Sequence, residues 1–263
     1  MKNATIELEK IINDKVHGST ELLVLIINHF IKYKDDVDYL ILAAQKMKKS
    51  LSHFPSINKF IREVESILRK QNSVALNNYL IEFNKKNNKT FEKIFYNASK
   101  SLLKLNSILT ISHSKTLIKV FGIWKKLNPK LKIIVCESRP DNEGIIMGKE
   151  FVKMKIKTEL ITEAMAGNYI KKVDAVILGA DQILPNGNVI NKTGSRLLAI
   201  LAKYHKIPVY VLASSDKIVK KKILVHYKQV DAKNFTIKNA GLKFRNENFE
   251  EIEKNLITKI FYD

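Results

Sequence analysis

Apolar residues in the first hundred positions recur at helical spacing. Thr20 to Tyr33 carries Leu22, Leu23, Leu25, Ile26, Ile27, Phe30 and Ile31 on one wide face, with Ser19 placed to cap it. Val37 to Met47, Ile57 to Leu68 and Asn72 to Phe83 repeat that spacing, and no glycine interrupts the chain between Gly18 and Gly122. After about Asn97 the rhythm changes to short β-branched runs. Ser107 to Ile111, Leu131 to Cys136, Thr158 to Ile161, Ala175 to Leu178 and Val209 to Ala213 read as strands. Lys115 to Leu127, Ile145 to Lys153, Ala164 to Lys172 and Gly194 to His205 read as helices between them. Strict alternation predicts an α/β domain built on a parallel, doubly wound sheet with right-handed crossovers. The expected division is a helical N-terminal domain over 1–95 and a sheet domain over 96–263, with the polar NKKNNKT run from Asn84 to Thr90 as a loosely held connection.

Composition narrows the class. At 263 residues, 45% of them hydrophobic, the chain is long enough to bury a substantial core. No apolar run is long enough to span a bilayer, and Met1 to Lys10 mixes acids and bases rather than opening a leader, so a soluble protein of the cytoplasm is expected. Cys136 is the only cysteine, which excludes an internal disulfide and a multi-cysteine zinc site. His17 and His113 lack metal partners at suitable spacing, so neither a metal nor a cofactor is expected. The net charge of +20 invites a nucleic-acid reading, but the excess is scattered lysine with little arginine. Such a surface reads first as a solvated exterior, and it is compatible with contact to RNA or a ribosome.

The candidate chemistry lies where parallel sheets bind ligands, beyond the carboxyl ends of the strands. Ser112, His113 and Ser114 follow the first strand, Glu137, Ser138 and Arg139 the second, Thr162 and Glu163 the third, Asp181 the fourth, and Ser214, Ser215 and Asp216 the fifth. Each has a plain structural reading: Ser112 and Ser114 as caps of the next helix, Arg139 as a surface turn residue, Asp181 as a cap, Cys136 as a buried strand residue. Each also has a functional one. Arg139 suits a phosphate or carboxylate, and Asp181, beside the small Gly179 and Ala180, suits a general base. The stretch DAVILGADQILPNGNVINKTG, from Asp174 to Gly194, adds a Pro-Asn-Gly turn and the pair Asn191 and Lys192, expected to open a helix. A lysine at a helix N-terminus opposes the helix dipole and calls for an anion.

Taken together, ILTISHSKT at 108–116, ESRPDNEG at 137–144, ITEAMAG at 161–167, GADQILPNGNVINKTG at 179–194 and AKYHKIPVYVLA at 202–213 resemble one family. It contains the alpha, beta and delta subunits of translation initiation factor 2B, methylthioribose-1-phosphate isomerase and ribose-1,5-bisphosphate isomerase. The tail NENFEEIEKNLITKI at 246–260 is similar to its closing segment, and the helical third matches through HGSTELL at 17–23. The resemblance implies a helical domain joined to a Rossmann-like domain and assembly into a homo-oligomer.

In the isomerases of that family a cysteine after the first strand and an aspartate after the fourth act together on a sugar phosphate. By resemblance the aspartate is Asp181, while the cysteine position holds Ser114, a far weaker acid. The arginine before the N-terminal Gly-Ala loop is replaced by His17, ahead of Gly18 and Ser19. A second arginine is missing near Phe54 and Pro55, and the third-strand aspartate has become Glu163. Two lost guanidiniums remove charge-assisted contacts worth about 1.5–3 kcal/mol each. Arg139, Gly144, Asn191 and Lys192 persist. The resemblance thus implies a phosphorylated small-molecule ligand bound by Gly18, Ser19, Arg139, Gly144, Glu163, Asn191 and Lys192. The expected function is a factor 2B-like regulatory protein sensing a sugar phosphate or nucleoside monophosphate. The alternatives are a divergent sugar-phosphate isomerase using Asp181 with Ser114 or Cys136, and a scaffold contacting RNA or an initiation factor.

Overall fold

A computed structural model describes residues 2–14, 18–70, 73–223 and 247–263; His17 lies outside the described residues. The helical N-terminal region consists of α1 (Lys2–Ile12), α2 (Ser19–Lys32), α3 (Val37–Ser50), α4 (Pro55–Leu68) and the first turns of α5 (Ser73–Leu102). The apolar faces read from the sequence meet in one core. Leu22, Ile26, Phe30, Leu40, Met47, Ile57, Phe60, Val64, Leu76 and Leu80 are all buried there, and Phe30 and Phe60 meet edge to face.

The NKKNNKT segment is helical, inside the 30-residue α5. Lysine is a good helix former, and apolar positions resume beyond the polar run at Phe91, Ile94, Phe95, Ala98 and Leu102, so the helix has a second core to bury itself in. One rigid element therefore belongs to both halves. Its second half packs with α6 (Lys115–Leu127) and α7 (Glu143–Lys153), and Asn97 Nδ2 donates to the Tyr262 carbonyl at 2.7 Å.

The sheet is six-stranded and parallel, in the order β3-β2-β1-β4-β7-β9, from β1 (Ser107–Ile111), β2 (Lys132–Cys136), β3 (Lys157–Ile161), β4 (Ala175–Leu178), β7 (Val209–Leu212) and β9 (Lys259–Phe261). Five of these match the expected strands; β9 comes from the tail. The order is that of a doubly wound dinucleotide-type fold, whose switch point lies between β1 and β4. Residues on alternate positions face opposite layers: Ile133 and Val135 look toward α6 and α7, while Ile134 and Cys136 join α9 (Ser195–Tyr204) and the short α8 (Ala166–Tyr169). Burial on both faces explains why these strands read as continuous apolar runs. The expected Ala164–Lys172 helix is broken into 3-10 turns flanking α8.

Beside the main sheet, β5 (Gln182–Ile183), β6 (Val189–Lys192) and β8 (Phe249–Ile252) form a small antiparallel sheet. The Pro-Asn-Gly turn joins β5 to β6, and Gly187 there has φ +86°, which explains the glycine. No helix among the described residues is long and apolar enough to cross a membrane.

Candidate functional site

The strand ends converge at the switch point, where the N-terminus of α2 and part of α4 lie over them. Asp181, three residues past β4, has a side chain only 18% exposed and lies 4.0 Å from Lys217 Nζ. Lys217 is buried, in the 3-10 turn that follows β7, and its ammonium also bonds Ser19 Oγ. Ser19 is therefore not the cap of α2, as its position suggested. Gly18 occupies that place, and Ser19 turns its hydroxyl into the site. Burial pushes the Asp181 carboxyl above the usual aspartate range, against the pull of Lys217, Lys192 and a hydrogen bond with Ser19.

The second cation is Lys192. It does not open a helix: Asn191 and Lys192 are the last residues of β6, and α9 starts at Ser195. The helix N-terminus expected to attract an external anion already holds one, because Glu250 accepts the Gly194 and Arg196 N–H groups at 2.7 Å each. Lys192 instead runs into the site, 4% exposed, with Nζ 2.8 Å from Glu143 Oε1 and 3.2 Å from Asp141 Oδ2. Burial raises the Glu143 carboxyl above its usual range despite the lysine. Asn191 donates to Ser195 Oγ at 2.8 Å, deep beside Gly179.

Ser114 meets its plain structural reading. It is the N-cap of α6, accepting from the Leu117 N–H at 3.4 Å, and lies against Gly179: a β-carbon there would come within 2.9 Å of Ser114 Oγ. Gly179 is thus small because Ser114 is there. Gly144 is small for a comparable reason, since a β-carbon would fall 1.8 Å from the Cys136 carbonyl oxygen, so α7 can reach the end of β2 only with glycine at that position. Its amide donates to the Glu137 carbonyl at 3.1 Å. Glu163 accepts the Ser138 N–H at 2.6 Å, bracing the loop after β2 from the end of β3. Arg139 stands exposed on the rim, with no ion pair among the described residues. Cys136 is fully buried and its thiol is pushed up to about 12 by desolvation, with Glu163 and Glu137 adding to it, so it is a packing residue.

The rim backbone is unusual. Ser112, Ser138 and Asn142 have φ of 70°, 67° and 60°, the left-handed region that non-glycine residues seldom occupy. Ser138 Oγ accepts the Ser112 N–H at 2.7 Å, locking the ends of β1 and β2 together. Strain held by such a bond clusters at ligand sites.

Of the residues singled out in the sequence, the structure gathers Gly18, Ser19, Asp181, Asn191 and Lys192 at the switch point. Glu163 and Gly144 support its walls. Sequence reasoning missed Lys217, although it directly follows the Ser-Ser-Asp end of the fifth strand, and it missed Asp141 and Glu143 as partners of Lys192.

A helical region packed over the switch point of a doubly wound sheet, with buried lysines among carboxylates, defines an α/β protein with a polar, charged cluster at the strand ends. Comparison with known proteins makes the assignment specific. The model of the Initiation factor 2 subunit family matches residues 9–263, and the chain belongs to that family. It is 32% identical over 143 residues to an eIF-2B subunit 2-like protein of Pyrococcus furiosus, covering 54% of this chain and 51% of that one. It is 35% identical over 136 residues to ribose 1,5-bisphosphate isomerase of Thermococcus kodakarensis, covering 52% of this chain and 42% of the relative. The matched segment thus spans about half the length of these relatives or less. In fold, it superposes on the crystal structure of translation initiation factor eIF-2B of Pyrococcus horikoshii OT3 with a TM-score of 0.83 at 21% identity, covering 100% of this chain and 95% of that one.

Proposed function

We propose that this chain is a factor 2B-like regulatory protein that binds a sugar phosphate or nucleoside monophosphate at the switch point without converting it. The observation that carries the reading is the state of Ser114. Aldose–ketose conversion needs two groups handling protons at adjacent carbons. Ser114, the position implied as partner of Asp181, carries a hydroxyl in place of the more acidic thiol and accepts the Leu117 N–H as the α6 cap, and the Cys136 thiol is buried. Lys192, Lys217, Ser19 and the α2 N-terminus supply recognition of an anion. Relatives on both sides of the family, factor-like and isomerase, are compatible with a phosphorylated ligand.

The second reading, a divergent isomerase, is favoured by one feature: Asp181 is a partly buried carboxyl beside Lys217, held above its usual range, the condition of a general acid or base. One experiment separates the two. The protein is incubated with ribose 1,5-bisphosphate, methylthioribose 1-phosphate and AMP while melting temperature and ketose formation are followed. The regulatory reading expects a rise in melting temperature with at least one ligand, by linkage worth about 2.7 kcal/mol at a hundredfold excess over Kd. It expects no ketose, loss of the rise in Lys192→Ala and a smaller rise in Arg139→Ala, and its persistence in Ser114→Ala. Turnover that disappears in Asp181→Asn would overturn it.

Assembly belongs to the same proposal. Leu197, Ile200 and Tyr204 form a stripe on the outer face of α9, respectively 44%, 41% and 80% exposed, suited to burial against another copy of this chain.

A further inference from the structure

Lys192 is the cation that the site offers to an anion, yet two of the protein's own carboxylates already hold it. Its side chain is 5% exposed and that of Glu143 12%, so both groups are held largely out of water. Glu143 is the first residue of α7, and the next residue, Gly144, is pressed against the Cys136 carbonyl, which leaves the helix end no room to withdraw inward. The second carboxylate oxygen, Glu143 Oε2, is buried and has no hydrogen-bond partner. A charged oxygen buried without a donor is unfavourable, and either a proton or a new donor relieves it.

The neighbouring charges sharpen the problem. Both buried lysines are already faced by carboxylates, Lys192 by Asp141 and Glu143 and Lys217 by Asp181, so a phosphate dianion would enter beside negative charge. Displacing ionised Glu143 from Lys192 would leave a buried, unpaired carboxylate, a costly state. Protonating it removes that cost and turns an orphaned acceptor into an O–H donor directed at the incoming group.

We propose that Glu143 is a proton-gated specificity residue: an anion binds Lys192 as Glu143 takes up a proton, changing from a competitor for the lysine into a hydrogen-bond donor to the ligand. The inference rests on the ligand-binding reading above. The groups facing Glu143 are Lys192 from β6, its own backbone N–H at the start of α7, which favours the charged form, and Asp141 from the loop before α7. Asp181 feels Lys192 from the end of β4 but is held by Lys217 and Ser19, and Glu163 is tied to the Ser138 amide. Burial already places the Glu143 carboxyl above its usual range, and loss of Lys192 to a ligand shifts it the same way. Affinity therefore rises as pH falls through the interval above the ordinary glutamate value of about 4.3, and levels off where Glu143 is protonated with and without ligand.

The test is titration calorimetry on the whole chain, with AMP as an affinity probe and with inorganic sulfate, whose charge is constant between about pH 5 and about pH 8, for counting protons in buffers of different ionisation enthalpy. The wild type is expected to take up protons on binding, with affinity falling as pH rises. Glu143→Gln, isosteric and uncharged, should bind about tenfold tighter or more near the upper end, the worth of one charge-assisted contact, with reduced proton uptake. Asp141→Asn should do the same more weakly, because Asp141 is farther from the lysine and 25% exposed. Weaker binding by Glu143→Gln would show that Glu143 positions Lys192 and would overturn the proposal, as would undiminished proton uptake in that variant. If neither these probes nor ribose 1,5-bisphosphate or methylthioribose 1-phosphate binds wild type or Glu143→Gln at any pH, the ligand-binding reading falls, and the gate with it.

Discussion

Replacing Lys217 by methionine should steepen the dependence of stability on pH that runs through Asp181. The ammonium lies 4.0 Å from Asp181 Oδ1, and at an effective dielectric of about 20 that separation corresponds to a gross attraction of about 4 kcal/mol. Lys217 is 3% exposed, so desolvation of the lysine offsets part of that attraction in the wild type. Methionine keeps the apolar stem and removes the charge. Asp181, whose carboxyl burial already lifts above its unfolded value, is lifted further. A carboxyl raised in the folded state binds more protons there than in the unfolded chain, so it lowers stability as pH rises through the interval between the two values. Lys217→Met should therefore lose roughly 2–3 kcal/mol more near neutral pH, a share of the gross attraction, than it loses below the unfolded aspartate value of about 3.9, where only the pH-independent bond to Ser19 is missing. Urea denaturation across pH measures the difference, and Asp181→Asn in the Lys217→Met background should recover most of the loss. A loss equal at every pH, or a double variant no more stable than Lys217→Met, would refute the coupling.

Two further outcomes follow from the packing. Gly144→Ala forces a β-carbon onto the Cys136 carbonyl, and the backbone must part there; overpacking together with the strained Gly144 to Glu137 bond should cost about 2–4 kcal/mol by denaturant unfolding. A change within about 0.5 kcal/mol would show that the helix end is looser than described. Ile200→Glu places a charge in the exposed stripe of α9 and should convert an assembled species to monomer in light scattering, leaving the melting temperature of the monomer little changed; an unaltered mass would remove α9 from the interface.

The elements were legible because their signals are local. The 3.6-residue period marks the helices up to Leu68, and runs such as KIIVC and AVIL, apolar on both faces, mark strands of a sheet covered on both sides. The continuity of α5 was not legible: NKKNNKT carries no apolar period of its own, and the cores at its two ends hold it helical. Nor was β6, where the Asn191–Lys192 pair looks like a helix start but pairs with β8, a strand that the sequence places far downstream.

The chain by itself determined which residue types stand at the ends of the strands: hydroxyls after β1, a carboxylate after β4, an asparagine and lysine soon after it. Their family resemblance was already visible there. Tertiary structure decided what those residues do. Ser19 and Lys217 meet across 198 positions, and Lys192 finds Asp141 across 51. The α9 N-terminus, which the sequence left open to an external anion, is filled by Glu250 from across 56 positions. The reason is physical: secondary structure follows from neighbours a few residues away, whereas the charge state and partners of a buried side chain depend on which distant segments folding brings to it and on how completely they exclude water.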